Sequence, residues 1–421
     1  MSIDSGKALA EPTVRVRGLF LATMALANLG IMLAFFTPIL NLLPRMSEEI
    51  AGADGKEAAL AVVTGVGVIG SVIGNPLAGA LSDRTTSRFG RRRPWILGGS
   101  LLGLVGLCLL PAMTSVIGLT VLWLVVQFSV NAAYAGLTAT VPDQVPIDQR
   151  GVASGLIGLA QAIGPVIGVG LVTYVILSLN GGSYITAVLF VLFVLPFIFV
   201  LKDPPLDPAD RPPFEWGTFI KGFWVSPRAY PDFAWAWLAR FLVSLGFAMS
   251  TLYLLFFLQD HLGFASEEAE QQQTTLLLIY TLGMVCTAVL GGWISDRSGK
   301  RKVFVVVATV IMAVAGIILA LVPANTGGFG LAMIAAIVLG LGYGWYLAVD
   351  QALITQVLPT AGDRARDLGV INIANSMPQV LAPVLCAIFV TSLGGYPALY
   401  LATAVVVLCG AAAVLPIKSV P

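Results

Sequence analysis

Charge is what this chain has least of. Asp, Glu, Lys and Arg make up 11% of its 421 residues, against about 25% in a soluble globular domain. So few charges cannot cover a chain of this length in water, and lipid is expected to be its outer solvent. Histidine is almost missing. His261 alone is present, in a loop among acids, so any proton carrier is expected to be a carboxylate. Cysteine is sparse, and Cys108, Cys286, Cys386 and Cys409 all fall in apolar stretches with neither disulfide nor zinc spacing. They read as structural thiols. No GxxxxGK[ST] string occurs, which excludes a P-loop as the source of drive. The net charge of +1 offers no field for a nucleic acid, and no nucleic-acid partner, cofactor or metal is expected. With no nucleophile–base arrangement or metal cluster either, an enzyme is not expected.

What is abundant is apolar. Hydrophobic residues make up 57% of the chain and glycine contributes 45 residues, a combination that close helix packing in membranes uses freely. Lys7, Arg15 and Arg17 precede about 25 apolar residues without a small-residue cleavage site, which predicts an uncleaved first span. Apolar runs bounded by charge or by Gly, Pro and Asn predict twelve spans. They are 18–42, 58–82, 94–113, 116–141, 151–178 and 184–201, then 233–258, 272–295, 302–322, 329–357, 367–393 and 396–416. The predicted organisation is a six-helix bundle over 1–201, a linker over 202–232 and a second six-helix bundle over 233–421. Phe214, Trp216, Phe219, Ile220, Phe223 and Trp224 in the linker suit either an interfacial helix or a plain tether. Of the 23 Lys and Arg residues, all but Arg45, Lys56 and Arg240 fall on one side of this division. Loops rich in Lys and Arg stay in the cytoplasm, so both ends are predicted to be cytoplasmic, in a multi-pass protein of the cell membrane.

The halves repeat. Gly79-Ala-Leu-Ser-Asp83-Arg84 recurs 213 residues later as Gly292-Trp-Ile-Ser-Asp296-Arg297. Both copies close the second span of their half and run into a basic cluster, Arg91, Arg92 and Arg93 in the first and Lys300 to Lys302 in the second. A self-match at corresponding positions means duplicated halves. A carboxylate there can approach a neighbouring helix N-terminus while the arginines hydrogen-bond across the loop, forming a latch. Gly79, Asp83, Arg84, Arg91, Arg92, Arg93, Asp296 and Arg297, with Arg150, are therefore candidate gating residues.

This repeated loop resembles the signature of the major facilitator superfamily. The resemblance implies an all-α fold of two pseudo-symmetric six-helix bundles. It also implies that spans 1, 4, 7 and 10 line a central cavity and that one half moves against the other. The string SDRTTSRFGRRRPWI from Ser82 to Ile96, preceded by Asn75-Pro76-Leu77, is similar to the loop of the sucrose–proton symporters. These are glycoside–pentoside–hexuronide cation symporter-like proteins. Asp367-Leu-Gly-Val-Ile-Asn-Ile-Ala-Asn375, with Pro378-Gln379 and Ala382-Pro383, is similar to their eleventh span. Asp143, followed by Gln149-Arg150, matches an acidic position that family uses in transport, which makes it a candidate for proton coupling.

An ionisable group inside a span is costly unless paired or hydrated, so it marks a candidate site. Asp350 in span 10 and Arg240 in span 7 are the clearest. The two spans run in opposite directions, which places both residues at similar depth and predicts that they pair in one state. A permanent structural ion pair is the plainer alternative to proton coupling. Tyr343 and Tyr346 share the helical face of Asp350. Candidate substrate-binding groups are Asn28 in span 1, Gln127, Asn131 and Tyr134 in span 4 and Gln161 in span 5. Tyr343 and Tyr346 in span 10 join them, as do Asn372, Asn375 and Gln379 in span 11. Amides and phenols at helical spacing suit a neutral, hydroxyl-rich ligand, and helix–helix adhesion is the other use of such residues. Gly151, Gly155, Gly158, Gly164 and Gly168 of span 5 read as packing positions. The function expected is proton-coupled symport of a sugar or glycoside, a sucrose-like disaccharide foremost, by a monomer. A drug–proton antiporter and a non-transporting sugar sensor are the alternatives.

Overall fold

The computed structural model describes residues 12–176, 178–211, 217, 228, 230–298, 301–357 and 364–418. For some of these, among them Asp296, Arg297, Asn372 and Asn375, the backbone alone is described. The aromatic segment from Phe214 to Trp224 lies outside the described residues, Gly217 apart.

Among the described residues twelve long helices follow one another: α1 (Gly18–Thr37), α2 (Lys56–Ser82), α3 (Arg93–Leu109), α4 (Val116–Gln144), α5 (Ile147–Tyr174) and α6 (Leu179–Val200). After the linker come α7 (Pro231–Leu252), α8 (Ser266–Ser298), α9 (Arg301–Ala320), α10 (Phe329–Val357), α11 (Arg364–Ser392) and α12 (Gly395–Val414). Among the described residues, ten of them, with their short extensions, are long and apolar enough to cross a membrane. In the other two, α8 and α11, part of the helix is described by its backbone alone. Local chemistry sets several starts. Ser115 and Ser178 cap α4 and α6 by accepting from the backbone N–H of Gly118 and Gly181. Pro94 and Pro231 sit in the first turns of α3 and α7, where a missing N–H costs nothing.

The chain divides into two compact units. One comprises 1–56 and 66–214, and the other 57–65 and 215–421, so the first turns of α2 group with the second unit. Within the first, α1 packs on α4, α5 and α6, α3 on α4 and α6, and α5 on α6. Within the second, α7 packs on α10, α11 and α12, α9 on α10 and α12, and α11 on α12. Each pair recurs six helices later, so the duplication read in the loops extends to the packing. Glycine permits the closest approaches. A methyl group on Gly340 would lie 2.2 Å from the Tyr280 carbonyl of α8, and one on Gly344 would lie 2.1 Å from that of Met284.

Three features depart from the sequence reading. The first span does not end at residue 42: it passes through a π-helical turn, Pro38–Leu42, into a further helix, Leu43–Ala51. The polar residues of that extension suggested a loop, but Ser47 is buried and Glu48 pairs with Lys56 at 3.6 Å. A second π-helical turn, Phe257–His261, follows α7 at the corresponding place; neither turn has a sequence signal. Of the five α5 glycines read as packing positions, Gly164 and Gly168 do press on α1, at Met32 and at Leu33 and Thr37. Among the described residues nothing lies within 4 Å of where a Cβ would stand on Gly151, Gly155 and Gly158, so no packing contact is seen for them.

Candidate functional site

The loop between α2 and α3 closes on an ion network. Arg92 is nearly enclosed, its side chain 5% exposed. Its Nη2 lies 2.5 Å from Asp83 Oδ1, its Nε donates to Asp143 Oδ2 at 2.8 Å, and its Nη1 donates to Ser82 Oγ at 2.5 Å. Arg91 Nη2 takes the other oxygen of Asp143, at 2.8 Å. Burial works to lower the Arg92 pKa, but Asp143 by hydrogen bond and charge, and Asp83 behind it, outweigh burial and leave it raised. The loop arginines thus gather Asp83 and Asp143, from the ends of α2 and α4, onto the start of α3. Arg84 and Arg150 stand apart from Asp143 in the bonds seen: Arg84 Nη1 donates to Ala80 O, and Arg150 donates to Val145 O and Pro142 O.

Asp203, just past α6, was not singled out from the sequence. Its Oδ2 accepts the backbone N–H of Arg92 at 2.6 Å and of Arg93 at 2.8 Å. Burial pushes its pKa up, against the opposing pull of the N–H groups of Arg93, Arg92 and Arg91. Arg93 also donates from Nη2 to Leu201 O. In the second unit Lys302, at the start of α9, donates to Ile417 O past α12, the same tie between corresponding helices. Gly90 makes room for the first of these contacts: its φ is +99°, and a Cβ there would lie 2.3 Å from the Asp203 carboxylate. Asp203→Ala, which strands two donors, is expected to cost about 1–3 kcal/mol of stability. Asp203→Asn, which keeps an acceptor oxygen, is expected to recover most of it. Gly90→Ala is expected to resemble Asp203→Ala, and thermal unfolding in detergent checks all three. For the second copy of the loop, α8 carries Asp296 and Arg297, whose side chains lie outside the described ones.

In the second unit, Arg240 of α7 and Asp350 of α10 come together. Nε and Oδ2 are 3.2 Å apart, and the two side chains are 6% and 5% exposed. Tyr346 donates its hydroxyl to Asp350 Oδ1 at 3.0 Å. The Oδ2 atom has no partner of hydrogen-bond geometry, so its contact with Arg240 is a charge contact. Tyr346 joins the pair to an aromatic cluster, its ring 6.2 Å from that of Tyr343. Phe247 of α7 stacks on Tyr343 of α10 with centroids 4.0 Å apart, and Tyr280 of α8 lies 5.8 Å from Phe247. Tyr280, also missed, would have needed the α8–α10 contact to be known. Trp345 of α10 lies against Phe304 of α9, with ring centroids 5.6 Å apart.

The amides separate into two groups. Asn28 Nδ2 donates to the Ile157 carbonyl of α5 at 2.9 Å, a helix-to-helix tie. Asn131 Nδ2 bonds Gln127 on its own helix, and Ser71 of α2 donates to Asn131 Oδ1 at 3.2 Å. Both amides are buried. Gln161 is different: it is exposed and donates to the half-buried Tyr134 hydroxyl at 2.9 Å, with Phe35 edge-on to the same ring. Gln379 of α11 is also exposed, whereas the side chains of Asn372 and Asn375 lie outside the described ones. His261 contacts Val322 O at 2.9 Å through Nε2 and stacks on Phe257.

The model of the Major Facilitator Superfamily matches residues 18–271 and 266–421. The chain belongs to the Major Facilitator Superfamily. As a member of this superfamily it is a multi-pass membrane protein, and its fold is shared with solved transporters. The nucleoside transporter NupG aligns with a TM-score of 0.73 at 15% identity, covering 94% of this chain and 99% of that one. A POT family transporter in complex with a thioalcohol-conjugated peptide aligns with a TM-score of 0.73 at 12% identity, covering 94% and 95%. At such identity the fold alone is shared. Among curated proteins, a general alpha-glucoside permease of Schizosaccharomyces pombe is 31% identical over 118 residues. That match takes in 24% of this chain and 21% of the permease. An uncharacterized symporter of Synechocystis is 54% identical over 48 residues, 11% of this chain and 9% of its own length. This chain therefore spans about a fifth or less of the curated relatives it matches.

Proposed function

We propose that this transporter carries out proton-coupled symport of a sugar, with an α-linked glucoside disaccharide such as sucrose as the preferred class, by alternating access. One observation carries the proposal: Asp350 and Arg240 form an enclosed ion pair, with an Asp350 oxygen left outside any regular hydrogen bond. An ion pair in a dry site is stable only as a pair. If substrate or helix movement draws Arg240 away, the carboxylate left behind becomes costly, and a proton on Oδ2 removes the cost. Proton uptake is then tied to the same movement that carries the sugar. Tyr346 holds the other oxygen through its hydroxyl and fixes the carboxylate for that exchange.

Asp143 takes a different role from the one its family position implies. Bound by Arg91 and Arg92, it serves the latch, and the proton passes through Asp350. Support for a sugar comes from the exposed Gln161, bonded to the half-buried Tyr134, and from Gln379, which offer neutral donors and acceptors to hydroxyl groups. It also comes from the two partial relatives, an alpha-glucoside permease and a symporter. The Lys and Arg bias supports cytoplasmic ends in a cell membrane, and a single chain carries both units and serves as the working transporter. In proteoliposomes, labelled sucrose and maltose are expected to accumulate above their outside concentration only while the interior is more alkaline. Accumulation that ignores the pH gradient would sink the coupling, and efflux of lipophilic cations in place of sugar uptake would favour a drug–proton antiporter.

A further inference from the structure

A groove of about 310 Å³ opens in the first unit between the start of α3 and the end of α6, lined by Ser87, Phe89, Arg93, Pro94, Leu97, Ile198 and Phe199. Its composition is divided. Along the helices it is apolar, and Phe199 is 79% exposed. At the loop end it is cationic: Arg93 lines the groove, and the Arg88 guanidinium sits 4.7 Å over the exposed ring of Phe89. Neither arginine makes an ion pair with a described residue, and Arg93 Nε has no acceptor. Elsewhere in this loop Arg91 and Arg92 hold carboxylates, so the two cations beside the groove are set apart from the network. The groove lies where two helices long and apolar enough to cross a membrane meet the loop.

We propose that this groove binds an anionic phospholipid, its phosphate on Arg88 and Arg93 and an acyl chain along Leu97, Ile198 and Phe199. Arginine forks suit phosphoryl oxygens, and an apolar strip leading inward from a cationic rim suits a lipid better than a soluble anion. The occupant would also act on the latch. Arg93 is tied to Leu201 O through its side chain and to Asp203 through its backbone, and Arg92 shares that aspartate. A phosphate on Arg93 braces the same α3–α6 junction that holds Arg92 against Asp83 and Asp143.

The test uses the full chain, purified in detergent and equilibrated with mixed phosphatidylglycerol and phosphatidylcholine, with bound lipid read by native mass spectrometry. Wild type is expected to retain phosphatidylglycerol in preference to phosphatidylcholine. Arg88→Gln/Arg93→Gln is expected to lose that preference, by about fivefold for each arginine removed. Leu97→Trp, which keeps both arginines but fills the apolar floor, is expected to lower retention as well; circular dichroism and gel filtration confirm that both variants are folded. Glycerol 3-phosphate, which has the headgroup charge without the chains, is expected not to displace the lipid. Equal retention of the two lipids by wild type, unchanged preference in the folded double variant, or displacement by glycerol 3-phosphate would each overturn the proposal.

Discussion

Asp350→Asn is expected to abolish accumulation of sugar against its gradient while leaving exchange of labelled for unlabelled sugar across the membrane. An amide takes no proton at physiological pH, so the cycle loses its coupled step but keeps its carrier movement. The substitution also leaves the Arg240 charge enclosed without its counter-charge, and breaking a buried pair from one side costs about 3–5 kcal/mol. Loss of stability has to be separated from loss of coupling. Arg240→Gln/Asp350→Asn does this, because it removes both charges, a change that is often near neutral for stability. The double variant is expected to melt closer to wild type than either single variant, and still to show exchange without accumulation. Accumulation by the folded double variant would mean that the pair is structural and the proton travels elsewhere.

The second large effect is expected at Arg92. Its guanidinium joins Asp83, Asp143 and Ser82, and no other side chain offers donors in that fork. Arg92→Ala leaves Asp143 to Arg91 and takes this partner from Asp83, which is 48% exposed. It is expected to lower stability by about 1–3 kcal/mol and to stop net transport, through loss of the latch that sets the α2–α3 loop. Arg92→Lys keeps the charge but not the fork, so it is expected to fall between wild type and alanine in both measurements. Thermal unfolding in detergent and initial uptake rates check this. A melting temperature unchanged in Arg92→Ala would show that the network is incidental to the fold.

Much of this arrangement was legible from the residues alone, for identifiable reasons. Lipid leaves helices little choice but to be long and apolar, so the spans were readable from composition, and the duplicated Gly–Asp–Arg loop marked the repeat. The closeness of Arg240 and Asp350 was readable because two opposite-running helices turn sequence position into depth. Other parts depend on contacts that no local pattern encodes. Asp203 is 111 residues from the backbone N–H it accepts, in a proline-rich stretch where an aspartate has no expected partner. Tyr280 became part of the aromatic cluster only because Gly340 and Gly344 let α8 settle onto α10. Asn28 and Gln161 looked alike in sequence, yet one is spent on a neighbouring backbone and the other is exposed.

The central claim, that sugar and proton move together through Asp350, is tested most directly by the pH of a lightly buffered suspension of proteoliposomes when sugar is added outside. The account predicts prompt alkalinisation with wild type, as protons enter with sucrose or maltose, and none with Arg240→Gln/Asp350→Asn even though labelled sugar still exchanges. Sugar entry by wild type without any change in external pH, or equal alkalinisation by the variant, would contradict it.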